Sequence, residues 1–335
     1  MIRVAIVENE HDFAERVKRF FEENYQEDFH ISTFDTTEVL KYIGDEIDIA
    51  VISEKYVDIE VGMNDHYVLI TKLTEDTVQS VNNGIPTIPK YQKAENMHMQ
   101  FIELYALREK KKTEREIALM PPKLVTFLST ITDAGTTTQT HAFALRANEQ
   151  GKKALIVDVR SMSNSESEFG ISDDYTLETY LESGLVGSTI YGVDYLHVKK
   201  KFSEDYNTTI VENIKKILDM NIYKYIIMDM EFDYSIFTKE ILTLSTNIAL
   251  TVPCTDVGVN AINTYESILK DENSNDIAEV VLKSGIIYNK ITNESEKYAE
   301  TTELATYGGV PFIDVVSNKE VVNELSKMKF LDNIL

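Results

Sequence analysis

The sequence predicts an α/β protein of two doubly wound parallel-sheet domains. Three observations carry that expectation. Apolar runs of strand length alternate with amphipathic helical runs, the pattern of strands buried on both faces. A charged, helix-prone stretch from Arg108 to Glu116 is followed by Pro121-Pro122, which stops a helix and forces an extended segment. Beyond it, residues 124–129 read as a strand and residues 130–136 as a loop with one glycine, Gly135. A helical run then ends at Gly151, before a strand closed by Asp158. The expected division is 1–118, a semi-rigid proline linker at 119–123, and 124–335, a size suited to two ordinary domains.

Bulk properties narrow the function classes. The chain has 335 residues, 43% of them hydrophobic, and a formal net charge of −23. That charge opposes nucleic-acid binding, which needs a basic face. The local run Arg108, Lys110, Lys111 and Lys112 reads as a solvated helix face. One cysteine, Cys254, excludes an intrachain disulfide and reads as a small apolar filler. The six histidines are scattered without metal-ligand spacing. The apolar run 1–7 is too short for a secretory signal and Glu8 follows it, so a cytoplasmic protein is expected.

In the first domain, residues 2–7 read as a buried strand and 12–24 as a helix with Phe13, Val17, Phe20 and Phe21 on one face. Strands follow at 29–34, 48–53 and 67–71, with the end of a short fifth at 87–90. Thr36 or Thr37 can cap a helix over 38–43. A long helix over about 94–116 closes the domain. Its apolar residues Phe101, Ile102, Leu104, Tyr105 and Leu107 exceed one narrow stripe, which leaves room for a partner surface. This order resembles a response-regulator receiver, a flavodoxin-like fold. The resemblance places Glu8 and Asn9 at the acidic pair, Ser53 at the phospho-acceptor, Thr71 at the hydroxyl and Lys90 at the lysine. A serine cannot form an acyl phosphate, and Asn9 removes a carboxylate that would hold Mg²⁺. Phosphoryl signalling is not expected. Glu54 reads as an exposed loop carboxylate.

In the second domain, strands are expected at 124–129, 154–158, 224–229, 246–253, 284–289 and 310–313. Helices are expected at 137–149, 175–183, 207–220 and 256–270, with Gly151 as a left-handed cap. Residues 161–174 read as a polar loop at the sheet's functional edge. The stretch holding Val321, Val322, Leu325, Met328, Leu331 and Ile334 is amphipathic. Its acidic residues favour packing on the domain over membrane attachment.

These landmarks resemble the MinD/ParA family of P-loop ATPases. The resemblance sets Thr137-Thr138 on the family's Thr-Thr, Thr136 on the phosphate-loop lysine, Ile131 on the signature lysine, and Thr132 and Asp133 on paired glycines. It sets Asp158 at the water-orienting Asp, Asp229 at the Asp near Mg²⁺, with Thr137 as the other metal position, and Asn289-Lys290 at the adenine-side motif. Glycines let successive N–H groups form an anion nest, a geometry Thr132 and Asp133 are expected to resist. A like-charge contact near 4 Å costs about 4 kcal/mol at an effective dielectric of 20, whereas a helix N-terminus returns only about 1 kcal/mol. The expectation is no hydrolysis, and at most weak binding of ATP with Mg²⁺ at a relic site of Gly135, Thr136, Thr137, Thr138 and Asn289. Asp158 and Asp229 then remain as strand-end polar residues.

A degenerate receiver joined to a degenerate MinD/ParA-type ATPase resembles the TadZ/CpaE family of Tad (Flp) pilus assembly and localisation proteins. That resemblance implies a dimeric adaptor, with the pilus secretion ATPase and inner-membrane platform as partners. It also implies a cytoplasmic site, open to peripheral attachment at the polar inner membrane. A nucleotide-cycling ParA/MinD-type switch is the alternative.

Overall fold

The structure, a computed structural model, describes residues 1–41, 46–56, 59, 62–75, 81–82, 85–160, 172, 174–198, 204–271, 275–295, 298, 302, 304–314 and 317–335. The chain divides into two compact units, Met1–Leu119 and Met120–Leu335.

The first unit runs β1 (Ile2–Val7), α1 (His11–Asn24), β2 (Phe29–Phe34), a 3₁₀ turn (Thr37–Lys41), β3 (Ile49–Ser53), β4 (Gly62–Met63) and β5 (Leu69–Thr74). A small hairpin, β6 (Val81–Asn82) with β7 (Ile85–Pro86), precedes β8 (Ile88–Pro89) and α2 (Ala94–Leu119). The main sheet has the order β2-β1-β3-β5, with β8 parallel on the far half of β5 and β4 antiparallel on its near half. This is the flavodoxin-like order of a doubly wound sheet. Alternate residues of β1 face opposite sides. Val4 and Ile6 pack with Phe13, Val17 and Phe21 of α1 and with Met97, Phe101 and Leu104 of α2. Ala5 and Val7 face Ile47, Ala50, Ile52 and Val68 on the other side.

Three expectations for this unit need correction. The segment from Thr37 to Lys41 is 3₁₀ rather than α, with the Thr36 hydroxyl accepting from the Glu38 N–H at 3.3 Å. The fourth expected strand lies at 69–74, two to three residues later than its apolar start implied. Arg108 is not on a solvated face. It is buried, and its Nη2 lies 3.3 Å from Asp48 Oδ1, a carboxylate that also pairs with Arg3 at 3.0 Å. Elsewhere on α2, Met99 and Ile102 are exposed.

The second unit runs β9 (Lys123–Ser129), α3 (Thr136–Glu149), β10 (Ala154–Asp158), α4 (Leu177–Ser183), β11 (Gly187–Ser188), β12 (Asp194–His197) and α5 (Glu204–Met220). It continues with β13 (Tyr225–Glu231), α6 (Ile236–Leu244), β14 (Asn247–Pro253), α7 (Asp256–Asp271), α8 (Asn275–Lys283), β15 (Ser284–Ile291), β16 (Ala305–Pro311), α9 (Asn318–Ser326) and a 3₁₀ turn (Lys329–Asn333). Its sheet order is β11-β12-β10-β13-β9-β14-β15-β16, parallel except for β11. One face packs on α4 to α8 through residues such as Leu124, Leu155, Ile226 and Leu250. The other packs on α3 and α9 through Val125, Phe127, Ile156, Ile227 and Ala249.

Gly151 ends α3 with φ of +75°, and the Lys152 N–H donates to the Ala147 carbonyl at 2.9 Å, the left-handed cap expected. The amphipathic stretch after residue 317 packs on its own unit, with Val322, Leu325, Leu331 and Ile334 buried beside α3. Arg146 of α3 grips both Asp332 oxygens, at 2.7 and 2.6 Å. Cys254 is buried, its Sγ 3.3 Å from the Ser295 carbonyl. The last strand lies at 305–311, not 310–313. Its Gly308-Gly309 pair hides it from an apolar scan, and a Cβ at Gly308 would stand 2.4 Å from Phe330. Of the polar loop 161–174, only Ser172 and Asp174 fall within the described residues. No helix among the described residues is long and apolar enough to cross a membrane.

Candidate functional site

The candidate site is a cleft of about 930 Å³ at the carboxyl ends of β9 and β13 in the second unit. Open parallel sheets place ligands there because loops and helix N-termini converge beyond the strand ends. The loop between β9 and α3 forms one wall. Gly135 has φ of +91° and stands just before the first turn of α3. A Cβ at that position would lie 2.2 Å from Asn289 Nδ2, so both the conformation and the space require glycine.

The loop is held from the side by the end of β15. Asn289 Nδ2 donates to the Ala134 carbonyl at 2.6 Å, and its Oδ1 accepts the Lys290 N–H at 2.9 Å. Lys290 Nζ donates to the Asp133 carbonyl at 3.1 Å. Asn289 is thus a loop clamp, whatever else it touches. Asp133 takes φ of +58°, which corrects the expectation that it resists a nest-like turn. Aspartate tolerates the left-handed region better than most residues, and the Lys290 bond holds the peptide that follows it. The Asp133 and Thr132 side chains are exposed, Ile131 is half-buried, and Thr136 is buried. Thr137 and Thr138, half-buried, line the cleft with Gly135 and Asn289.

Asp158 ends β10 and is the Cα partner of Asp229, which sits two residues before the end of β13, a strand that runs on to Glu231 rather than stopping at the expected 229. Both are buried, at 0% and 1% exposure. The structure brings them together around a residue that sequence reasoning missed. Arg160 folds back two residues beyond β10. Its Nε and Nη2 donate to Asp158 Oδ1 and Oδ2 at 2.9 and 2.7 Å, and its Nε lies 3.3 Å from Asp229 Oδ2. Tyr195 Oη donates to Asp158 Oδ2 at 2.7 Å. Burial opposes the Asp158 charge, but Arg160 and Tyr195 outweigh it and hold the carboxyl well below the usual range. Asp229 goes the other way. Burial, with the Asp158 charge beside it, pushes its carboxyl up to about 7, against the pull of Arg160 and a Thr137 hydrogen bond. Burial also pushes the nearby His141 down to about 3, so that ring is neutral. The pattern that could have revealed Arg160 is its spacing, two residues past a strand-ending Asp.

The fold family implies Mg²⁺ at Asp229 and Thr137. The donor set does not fit it. Magnesium wants carboxylate lone pairs at 2.0–2.1 Å in near-octahedral geometry, but a guanidinium engages both Asp158 oxygens and stands beside Asp229 Oδ2, which leaves only the buried Asp229 Oδ1 without a hydrogen-bond partner. Among the described residues, no group of three or more His, Cys, Asp or Glu could hold a metal ion.

The first unit carries its own cluster at the carboxyl ends of β1, β3 and β5. Lys90 Nζ lies 3.1 Å from Glu8 Oε2 and 2.8 Å from Glu10 Oε2, with the Glu8 and Lys90 side chains buried. Burial works against the Lys90 charge, but Glu10 and Glu8 raise its pKa overall. Burial likewise opposes the Glu8 charge. The Glu10 N–H, Lys90 and Ser53 lower it below the ordinary value. Two sequence assignments are corrected here. Asn9 is exposed, and the second acid at the lysine is Glu10. Thr71 is buried mid-strand, paired with Val51, whereas Thr74 ends β5 beside Lys90, whose N–H donates to the Thr74 carbonyl at 2.7 Å. Glu54 is exposed and accepts the Glu75 N–H at 3.1 Å.

Residues 1–106 match the family model described as TadZ-like, receiver domain. No curated protein matches the chain. Among solved structures, the chain is similar to a ParA family ATPase from Chlorobium tepidum TLS at 14% identity and a TM-score of 0.49, covering 64% of this chain and 96% of that one. It is similar to a chain of the MinC:MinD cell division protein complex from Aquifex aeolicus at 15% identity and a TM-score of 0.46, covering 61% and 86%. It is also similar to a putative plasmid partition protein from Borrelia burgdorferi B31 bound to AMPPNP, at 15% identity and a TM-score of 0.46, covering 64% and 98%.

Proposed function

We propose that this chain is a TadZ/CpaE-type adaptor that helps place and assemble a Tad (Flp) pilus or secretion apparatus, and that its second unit works without hydrolysing ATP. The match of residues 1–106 to the TadZ-like receiver family supports the pilus assignment. The observation that carries the non-hydrolysing part is the closed set Asp158–Arg160–Asp229. Hydrolysis in a site of this kind needs one carboxylate to orient water and another to position Mg²⁺. Here a guanidinium engages both acids. The loop adds no compensating lysine, since Ile131 and Thr136 occupy the positions where the MinD/ParA resemblance expects lysines.

The working unit is proposed to be a homodimer formed without nucleotide, acting in the cytoplasm and attached peripherally at the polar inner membrane through the secretion ATPase and platform proteins. The decisive experiment titrates ATP and ADP with Mg²⁺ by calorimetry, reads mass by light scattering in the same samples, and follows phosphate release. No turnover and an unchanged mass support the adaptor. Co-purification of the full chain with the pilus secretion ATPase then tests the partner. A second reading, a ParA/MinD-type switch, is favoured by the cleft itself, which the left-handed turns at Asp133 and Gly135 help to line. Turnover that rises with a monomer-to-dimer shift would establish it instead.

A further inference from the structure

We infer that Arg160 is a built-in counter-ion that takes the place of a divalent cation between Asp158 and Asp229, so that the native cleft excludes such an ion and removal of Arg160 opens a metal site. The two acids are register partners on adjacent strands, and such neighbours lie about 4.8 Å apart. Both side chains belong to the same end of the sheet, and both are buried. Two buried carboxylates that close require positive charge, and the chain supplies it from its own backbone neighbour. The Arg160 N–H also donates to Asp158 Oδ1 at 3.0 Å, which fixes the turn that carries the guanidinium into place. The side chain is 16% exposed, so it is poorly placed to swing out into water at little cost.

Geometry also says what the site becomes without it. Asp158 keeps Tyr195 as a donor, Asp229 keeps its Thr137 contact, and the cleft lies open beside them. Asp229 and Thr137 line the cleft, and Asp158 lies buried behind Arg160; two carboxylates and a hydroxyl are the oxygen ligands that hard divalent cations take. The inference concerns the metal alone and stands apart from the pilus assignment.

The test uses the full chain and Mn²⁺ as the probe, read by water-proton relaxation and by thermal unfolding. Asp229→Asn serves as the subtraction for the many exposed carboxylates of a chain with net charge −23. Wild type is expected to show no Mn²⁺ binding that Asp229→Asn removes. Arg160→Ala is expected to gain one site, about tenfold or more tighter than any in wild type, and to unfold at a higher temperature when Mn²⁺ is added. Arg160→Lys is expected to behave as wild type. If Arg160→Ala is unfolded alone, Mn²⁺ should restore its fold. An Asp229-dependent Mn²⁺ site in wild type would overturn the inference. So would an Arg160→Ala chain that neither binds Mn²⁺ nor is rescued by it.

Discussion

Asp229 and Lys90 show how single buried charges set the behaviour of each unit. The Asp229 carboxyl sits near 7 in the fold against 3.8 as its ordinary value. Between those values the folded state holds a proton that the unfolded chain has lost, so stability falls as pH rises from about 4 through 7 and levels off above. Asp229→Asn removes that slope. Urea midpoints at pH 5 and pH 8 should therefore show the variant gaining on wild type toward pH 8, and an unchanged gap would refute the raised pKa. Lys90 has the opposite role, since its ammonium neutralises Glu8 inside the first unit. Lys90→Ala strands a buried carboxylate, a loss of about 3–5 kcal/mol. Denaturant unfolding of the first unit checks it, with recovery expected on lowering pH as Glu8 takes up a proton.

The β9–α3 loop and its clamp behave as one element, and they show what sequence reading reaches and where it stops. Gly135→Ala forces a Cβ into the Asn289 amide and strains a residue at φ of +91°. Asn289→Ala removes two hydrogen bonds worth about 1 kcal/mol each. The space vacated by Asn289 relieves part of the clash, so the double variant should cost less than the sum of the singles, measured as a double-mutant cycle by urea unfolding. Simple additivity would mean the clamp does not shape the loop. The loop's place was legible, because β9, Gly135 and Gly151 carry strong local signals. The clamp was not, because Asn289 lies 155 residues from Ala134 and no spacing connects them. Strand ends were the weakest reading. Lys72 interrupts the apolar run of β5, so the strand seemed to stop at Thr71 and the hydroxyl at its true end, Thr74, went unseen. Arg160 was missed for a related reason, since it follows β10 in a polar stretch with no motif. Short strands such as Asp194–His197 are set by pairing with β10 and β11 rather than by their own pattern.

Across the whole chain, each unit holds a fixed cation among acids at the carboxyl ends of its strands. In the first unit the Lys90 ammonium pairs with Glu8 and Glu10. In the second, the Arg160 guanidinium pairs with Asp158 and Asp229. Buried acids that are neutralised by the chain's own cations leave a fold that needs no bound ion to offset their charge. A ligand that binds only the folded state at a hundred times its Kd adds about 2.7 kcal/mol, a shift of several degrees for units of this size. The unfolding temperature of the full chain should therefore stay put when Mg²⁺ is added at millimolar concentration, with ATP or with acetyl phosphate, and again when a chelator removes it. A rise of several degrees with Mg²⁺ and ATP in the wild-type chain would mean the cleft holds nucleotide with the guanidinium in place. The phosphates would then be met by Arg160 and Lys290 rather than by the lysines the loop lacks, and the switch reading would displace the adaptor.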